Sequence, residues 1–591
     1  MRQVISVKRR RGLPTLKQWG QLPRVLSKRE RLSLIACAGL FVASGAALAT
    51  WYVATHRSEI PAVGGEYVEA LVGEPQFVNP LYASASDVDS DLARLVYSGL
   101  LKFDPNEGLV NDLAEKVEIS PDGKTYTVTI REDATFHNGE AVRARDVLFT
   151  VTAIQNPGYR SPLEVSFRGV AVSQVDDRTV SFSLETPFAP FLSTLTVGIL
   201  PSDLWADIQP RNAPLATRNL EPVGSGPYRF ASFAKDKKGS VLSYSLTRYD
   251  GYYGAPAYIE TLTFKFYADA DDAAAALENR NVEGIAFVPP DQEEAVSRNR
   301  NVALMRPSLP RLTAAYFNQD RQPAFKKLEV RKAIAMAVDK AAVLEDALFG
   351  HGTVVSSPIL PGMVGYAVDT PAPAHDPAAA QELLEKAGFK KVEGATYRTL
   401  PKDLFEAKKK AAGDAADSTT DEFSVILKTV QHPELIRTAE RLVQQLGAVG
   451  IKVEIEVVDP GDLYATVIEP RDYQMLLTGA LLGLDPDPFP FWHSSQATGK
   501  GLNLAMYASR KADAALEAAR DTTDELARAD RYKEFQSLLA EDVPAVFLYQ
   551  STYGYAPASK LKNVEIPRIV TPADRFGRVN EWYIKTKKVL R

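Results

Sequence analysis

The sequence predicts an α/β protein with a β-rich portion, preceded by one N-terminal transmembrane helix. Three observations carry this. Residues 32–56, LSLIACAGLFVASGAALATWYVATH, contain no formally charged side chain. The runs KTYTVTI (124–130) and RTVSFSLE (178–185) alternate apolar and polar positions at the period of a half-buried strand. HPELIRTAERLVQQLGAVG (432–450) feeds IKVEIEVVD (451–459), a helix followed by a strand, which is the repeating unit of open α/β sheets.

The chain starts basic. Residues 1–31 hold ten Lys or Arg against one acid, Glu30, so their net charge of +9 leaves −14 of the overall −5 on residues 32–591. As a helix, the uncharged run would span about 37 Å, enough for a hydrocarbon core of about 30 Å. The positive-inside rule assigns 1–31 to the cytoplasm, 32–56 to the membrane and everything after to the extracytoplasmic side. An uncleaved signal anchor is the preferred reading, because the run exceeds the usual ~7–15 residue signal-peptide core. Cleavage after Ala47-Leu48-Ala49 and a lipoprotein cysteine at Cys37 are the alternatives, and all three export the bulk of the chain. Beside a membrane helix the basic start sets topology and meets anionic lipid rather than nucleic acid.

Further along, Pro121-Asp122-Gly123 turns the chain into the first strand, where Tyr126, Val128 and Ile130 share a face. In the second, Val180, Phe182 and Leu184 do so. RKAIAMAV (331–338) puts Ile334 and Val338 on one helical stripe. Asp376-Pro377 is an N-cap with proline in the first turn, and Gly388 closes that helix. Pro433 opens the 432–450 helix, whose Leu435, Leu442 and Leu446 lie together. Residues 390–423, polar and rich in Lys, Ala and Asp, read as a surface insertion.

Composition bounds the chemistry. At 591 residues the chain needs three or four lobes, and a lone cysteine excludes intrachain disulfides and cysteine-built metal centres. No two of the six histidines lie within five residues of each other, so the paired-histidine helix face of metalloproteases is missing. Neither a P-loop nor a G-x-S-x-G elbow occurs. No cofactor, metal or catalytic residue is expected. LDPDPFPFWHSS (484–495) is the one enzymatic lure, because Asp485 and Asp487 beside aromatics evoke a glycosidase. Alternating prolines, however, predict an extended loop with diverging side chains, better suited to lining a ligand cleft. TFHNGEAVRARDVLFT (135–150) offers a second lure. It reads as a turn at Asn138-Gly139 followed by a helix, with His137 in a turn hydrogen bond and Asp146 in the first helical turn over a weak cap.

Together EPQFVNPLYA (74–83), LVYSGLLKFDP (95–105), the 113–150 block, GSGPYRF (224–230), YFNQDRQPAFKKLEVRKAIAMAVDK (316–340) and the 484–509 segment resemble the extracellular solute-binding protein family 5 of ABC importers, the oligopeptide, dipeptide and nickel-binding group. Their order over residues 64–591 carries the resemblance. It implies an α/β, two-lobed periplasmic-binding-protein type II fold with an additional β-rich domain. By that topology lobe I is 60–103, 223–310 and 540–591, the β-rich domain is 104–222, and lobe II is 311–539. It further implies a monomeric receptor that closes on a peptide or other oligomeric solute and hands it to a permease and ATPase. Ligand contacts are expected at Asn79, Tyr82, Tyr316, Asn318, Asp485, Phe491, Trp492 and Asn503. A packed core ring is the competing reading for each aromatic, and a turn cap for Asn318. Where the resemblance places an amine-reading acid, this sequence has Leu484, with Asp485 one residue off. A secreted hydrolase using Asp485 and Asp487, or a sensor or chaperone on the same fold, are the alternative functions.

Overall fold

The computed structural model describes residue 20 and residues 26–412 and 420–590 of the chain. Most of the basic start and the middle of the 390–423 segment lie outside these. The chain divides into two compact units, one built from the N-terminal segment to Ala62 with Lys585–Arg591, the other from Val63–Ile584.

In the first unit, Lys28–Thr55 is one helix that contains an 18-residue stretch with a mean hydropathy of 2.1. Ser27 and Glu30 start it as a capping box: the Glu30 carboxylate accepts from the Ser27 amide at 2.9 Å, and the Ser27 hydroxyl accepts from the Glu30 amide at 3.4 Å. Strand Arg57–Ala62 follows and pairs antiparallel with Lys585–Leu590, joining the two ends of the chain.

Three large sheets, with two two-stranded ones, build the second unit. A five-stranded sheet runs in the order Gly284–Ile285, Glu66–Val72, Thr261–Tyr267, Val241–Arg248, Tyr228–Lys235. A four-stranded antiparallel sheet runs Ala114–Ile119, Thr125–Ile130, Thr179–Leu184, Val170–Gln174. The two alternating runs are thus its central strands, and Tyr126, Val128, Ile130, Val180 and Phe182 are all buried. One core joins these two sheets.

The six-stranded sheet runs Gly352–Val354, Ala545–Thr552, Ser308–Phe317, Met475–Leu481, Ser424–Val430, Lys452–Val458. Its strands alternate between two cores: Ala315, Phe317, Leu427 and Leu548 on one face, Leu312, Tyr316, Leu476 and Phe547 on the other. Helix Pro433–Ala448 covers the first face, and helices Arg510–Arg520 and Glu525–Asp542 the second.

Several expectations need correction. Ala545–Thr552, grouped above with lobe I, is an interior strand of the six-stranded sheet; a seven-residue buried run, Ala545–Ser551, suits a strand covered on both faces. The chain therefore leaves that sheet after Thr552, not near 540. The 390–423 segment is not all surface: Arg398 is fully buried and donates to the Val449 and Phe389 carbonyls at 2.8 and 2.9 Å. The 484–495 loop is not extended throughout, because Phe489–Trp492 forms a short helix with Pro490 in its first turn.

The 135–150 stretch is architecture. The His137 ring accepts from the Gly224 amide at Nδ1 (3.2 Å), and Nε2 lies 3.1 Å from the Gly226 carbonyl. This pins GSGPY beside Val96, where a Cβ on Gly224 would stand 2.1 Å from the Val96 oxygen. Helix Ala144–Gln155 is capped from inside, since Asp146 accepts from the Arg143 amide at 2.9 Å and from Ser202 at 2.7 and 2.8 Å. The second set of bonds makes this start firmer than Arg143 alone predicts.

Candidate functional site

Leu482–Pro488 leaves the strand Met475–Leu481 at its edge and turns at Gly483, whose φ of +78° favours glycine. Asp485 then folds the loop on itself by accepting from the Asp487 amide at 3.1 Å, an Asx turn. Both carboxylates face the two helices behind the loop. Asp487 takes a bidentate pair from Arg520 at 2.9 and 2.6 Å, and Asp485 is ion-paired with Arg528. Burial pushes the Asp485 carboxyl above the usual range, with the Arg528 charge opposing it. The Arg520 guanidinium sits 3.9 Å from the centre of the Phe489 ring and 5.2 Å from that of Phe188, which comes from the four-stranded sheet's segment.

Two cavities meet at this loop. The smaller, about 420 Å³, is walled by Pro80, Ser84, Arg94, Tyr97, Phe167 and Thr571 among others. The larger, about 740 Å³, is walled by Arg168, Pro187, Phe188, Asp485, Phe491 and Arg520 among others. Ser166, Ser193, Thr194, Gly483 and Leu484 line both, so the two form one cleft. Each volume is that of a ligand pocket. The walls come from all three sheets: helix Asp87–Val96 beside the five-stranded sheet, residues 163–198 beside the four-stranded one, and the 482–491 loop of the six-stranded one.

Of the eight expected contacts, Asp485 and Phe491 line this cleft. The others are placed elsewhere. Asn79 is fully buried, donating to Asn219 Oδ1 at 3.0 Å and accepting from the Leu81 amide at 2.9 Å. Tyr82 packs on Phe77, and burial pushes its hydroxyl up to about 12. Tyr316 and Trp492 pack together with ring centres 5.9 Å apart, both in the core of the six-stranded sheet. Asn318 caps the turn after its strand, accepting from the Asp320 and Arg321 amides at 3.1 Å. Asn503 is fully buried and ties Trp492, His493 and Tyr507 by their carbonyls at 3.3, 3.1 and 2.8 Å.

Sequence reasoning missed Arg520, Arg528, Arg94 and the wall from 163–198. A signal for Arg528 exists: Arg528, Tyr532, Phe535 and Leu539 fall on one buried helical stripe. An arginine on an apolar stripe calls for a buried acid. Among the described residues, no cluster of three metal-ligating side chains occurs.

The profile of "Bacterial extracellular solute-binding proteins, family 5 Middle" matches residues 108–502. The chain belongs to this family. It is a solute-binding receptor rather than an enzyme, and Asp485 and Asp487 of its cleft loop are both committed to arginines. Among similar family 5 proteins, the oligopeptide-binding protein AppA of Bacillus subtilis (strain 168) is 27% identical over 530 residues, spanning 85% of this chain and 92% of that one. The dipeptide-binding protein of Escherichia coli (strain K12) is 26% identical over 507 residues, spanning 81% and 88%. The solved structure of Bacillus subtilis AppA in complex with a nonapeptide superimposes with a TM-score of 0.68 at 25% identity, covering 89% of this chain and all of that one.

Proposed function

We propose that this chain is a membrane-anchored, extracytoplasmic receptor that encloses peptides or peptide-like solutes and delivers them to the permease and ATPase of an ABC importer. The observation that carries this is the single cleft walled by all three sheets, which is large enough for an oligomeric ligand. The two lobes would be the five-stranded sheet with its neighbours and the six-stranded sheet, linked by the neighbouring strands Ser308–Phe317 and Ala545–Thr552. Ligand touching both sides of the cleft would bind the closed arrangement better, and only that difference can drive closure. The permease would then read the closed shape. Helix Lys28–Thr55, following a basic start, would hold the receptor at the membrane as a monomer.

Adding a pool of short synthetic peptides to the full chain in detergent should raise its melting temperature. Native mass spectrometry should then show retained peptide. Neither a shift nor retained mass with any peptide would reject the peptide reading.

A further inference from the structure

Resting on that reading of the cleft, we infer that it takes peptides or peptide-like ligands whose enclosed end carries no ammonium group, such as N-acylated peptides, and that Arg528 and Arg520 set this preference by occupying Asp485 and Asp487. An ammonium taken out of water needs a carboxylate to itself. The charged side chains on the cleft wall provide none within its depth.

In the smaller cavity, Arg94 donates to the Phe103 carbonyl at 2.9 Å and lies 3.9 Å from Asp574. Asp574 accepts from the Val570 and Thr571 amides and the Thr571 hydroxyl through Oδ2 alone, at 3.2, 2.8 and 3.1 Å, and its Oδ1 is the oxygen that faces Arg94. The rest of that wall is apolar groups, Ser and Thr hydroxyls and the Tyr97 phenol, which suit neutral amides. In the larger cavity, Asp487 gives both oxygens to Arg520, and Asp485 gives one to Arg528 and the other to its own loop. Arg168 pairs with Glu164 at 3.2 Å. The remaining acids, Glu185, Glu517 and Asp521, are exposed, where water screens them.

Arg528 holds its acid firmly. Its side chain is only 9% exposed, and its Nε already lacks a partner, so a ligand that drew Asp485 away would strand a buried guanidinium. A ligand amine therefore competes with a fixed internal cation, whereas an acylated nitrogen has no such competition.

The test uses the full chain in detergent and calorimetric titration with synthetic peptides, each offered as the free amine and as its N-acetyl form. Wild type should bind the acetyl form at least as tightly as the free amine. In Arg528→Gln, Asp485 is released and the ratio should move toward the free amine by about tenfold, or 1.4 kcal/mol. A wild type that prefers free amines tenfold or more, and loses that preference in Asp485→Asn, overturns the inference while leaving the peptide reading intact. An unchanged ratio in folded Arg528→Gln overturns the masking role. If Arg528→Gln does not fold, the wild-type ratio decides alone, and binding of neither form overturns the peptide reading and this inference with it.

Discussion

His137 shows how one half-buried side chain ties a fold to pH. Its ring is held between the Gly224 amide and the Gly226 carbonyl, and burial pushes its pKa down to about 4. An unfolded histidine titrates near 6.5, so between these values the unfolded chain takes up a proton that the native one refuses. Stability from this group is complete above about pH 6.5 and falls as pH drops toward 4, by about 3 kcal/mol. Urea midpoints across that range should show the slope, and His137→Gln should flatten it. Arg575 poses the opposite case. Fully buried, it pairs with Asp91 at 2.6 Å and Glu69 at 2.8 Å, and Glu69 also accepts from Tyr67 and Tyr555 at 2.7 and 2.9 Å. Arg575→Met strands two buried carboxylates and should cost about 3–5 kcal/mol, visible as a lower melting temperature. His137 was legible because a lone histidine in a turn has few chemical options. Asn79 and Asn503 were not: a buried asparagine that ties its own loop has the same local sequence as one that meets a ligand.

At the scale of elements, period and punctuation located the helices and strands. Thr125–Ile130, Thr179–Leu184, Pro377–Lys386 and Pro433–Ala448 all begin and end within two residues of their patterns. What period could not supply was the partner of each element. Arg398 stands in a polar stretch, yet its guanidinium reaches from the two-residue strand Arg398–Thr399 to the ends of helices Pro377–Lys386 and Pro433–Ala448 through the Phe389 and Val449 carbonyls. Nothing local distinguishes it from its solvated neighbours. The packing around it is close, since a Cβ on Gly450, at φ +86°, would lie 2.9 Å from Arg398 Cγ. Arg398→Leu keeps some of the volume but leaves buried carbonyls unpaired, which should cost about 2–3 kcal/mol. A drop in the urea midpoint would check this, while Lys391→Leu on the exposed neighbouring strand should change little.

Across the whole molecule, the order of motifs along the chain made the family legible, but not where the sheets meet. That contact depends on residues far apart in sequence, and Arg520 is its centre. Its guanidinium lies between Phe188 and Phe489 and binds Asp487, while its carbonyl accepts from the Ala189 amide at 3.2 Å. One residue thus joins the segment of the four-stranded sheet to the loop of the six-stranded sheet at the wall of the cleft. If ligand binding depends on the two sides meeting, this contact contributes to the closed arrangement before ligand arrives. Arg520→Ala removes both ring contacts and the ion pair at a partly exposed site, where each is worth about 1 kcal/mol. The closed population falls accordingly, and apparent affinity falls with it. Peptide affinity should weaken about tenfold, and small-angle scattering without ligand should show a larger radius of gyration than wild type. With saturating peptide the two proteins should reach the same radius, because the ligand then supplies the closing contacts. Equal radii without ligand would show that Arg520 only lines the cleft and does not hold it together.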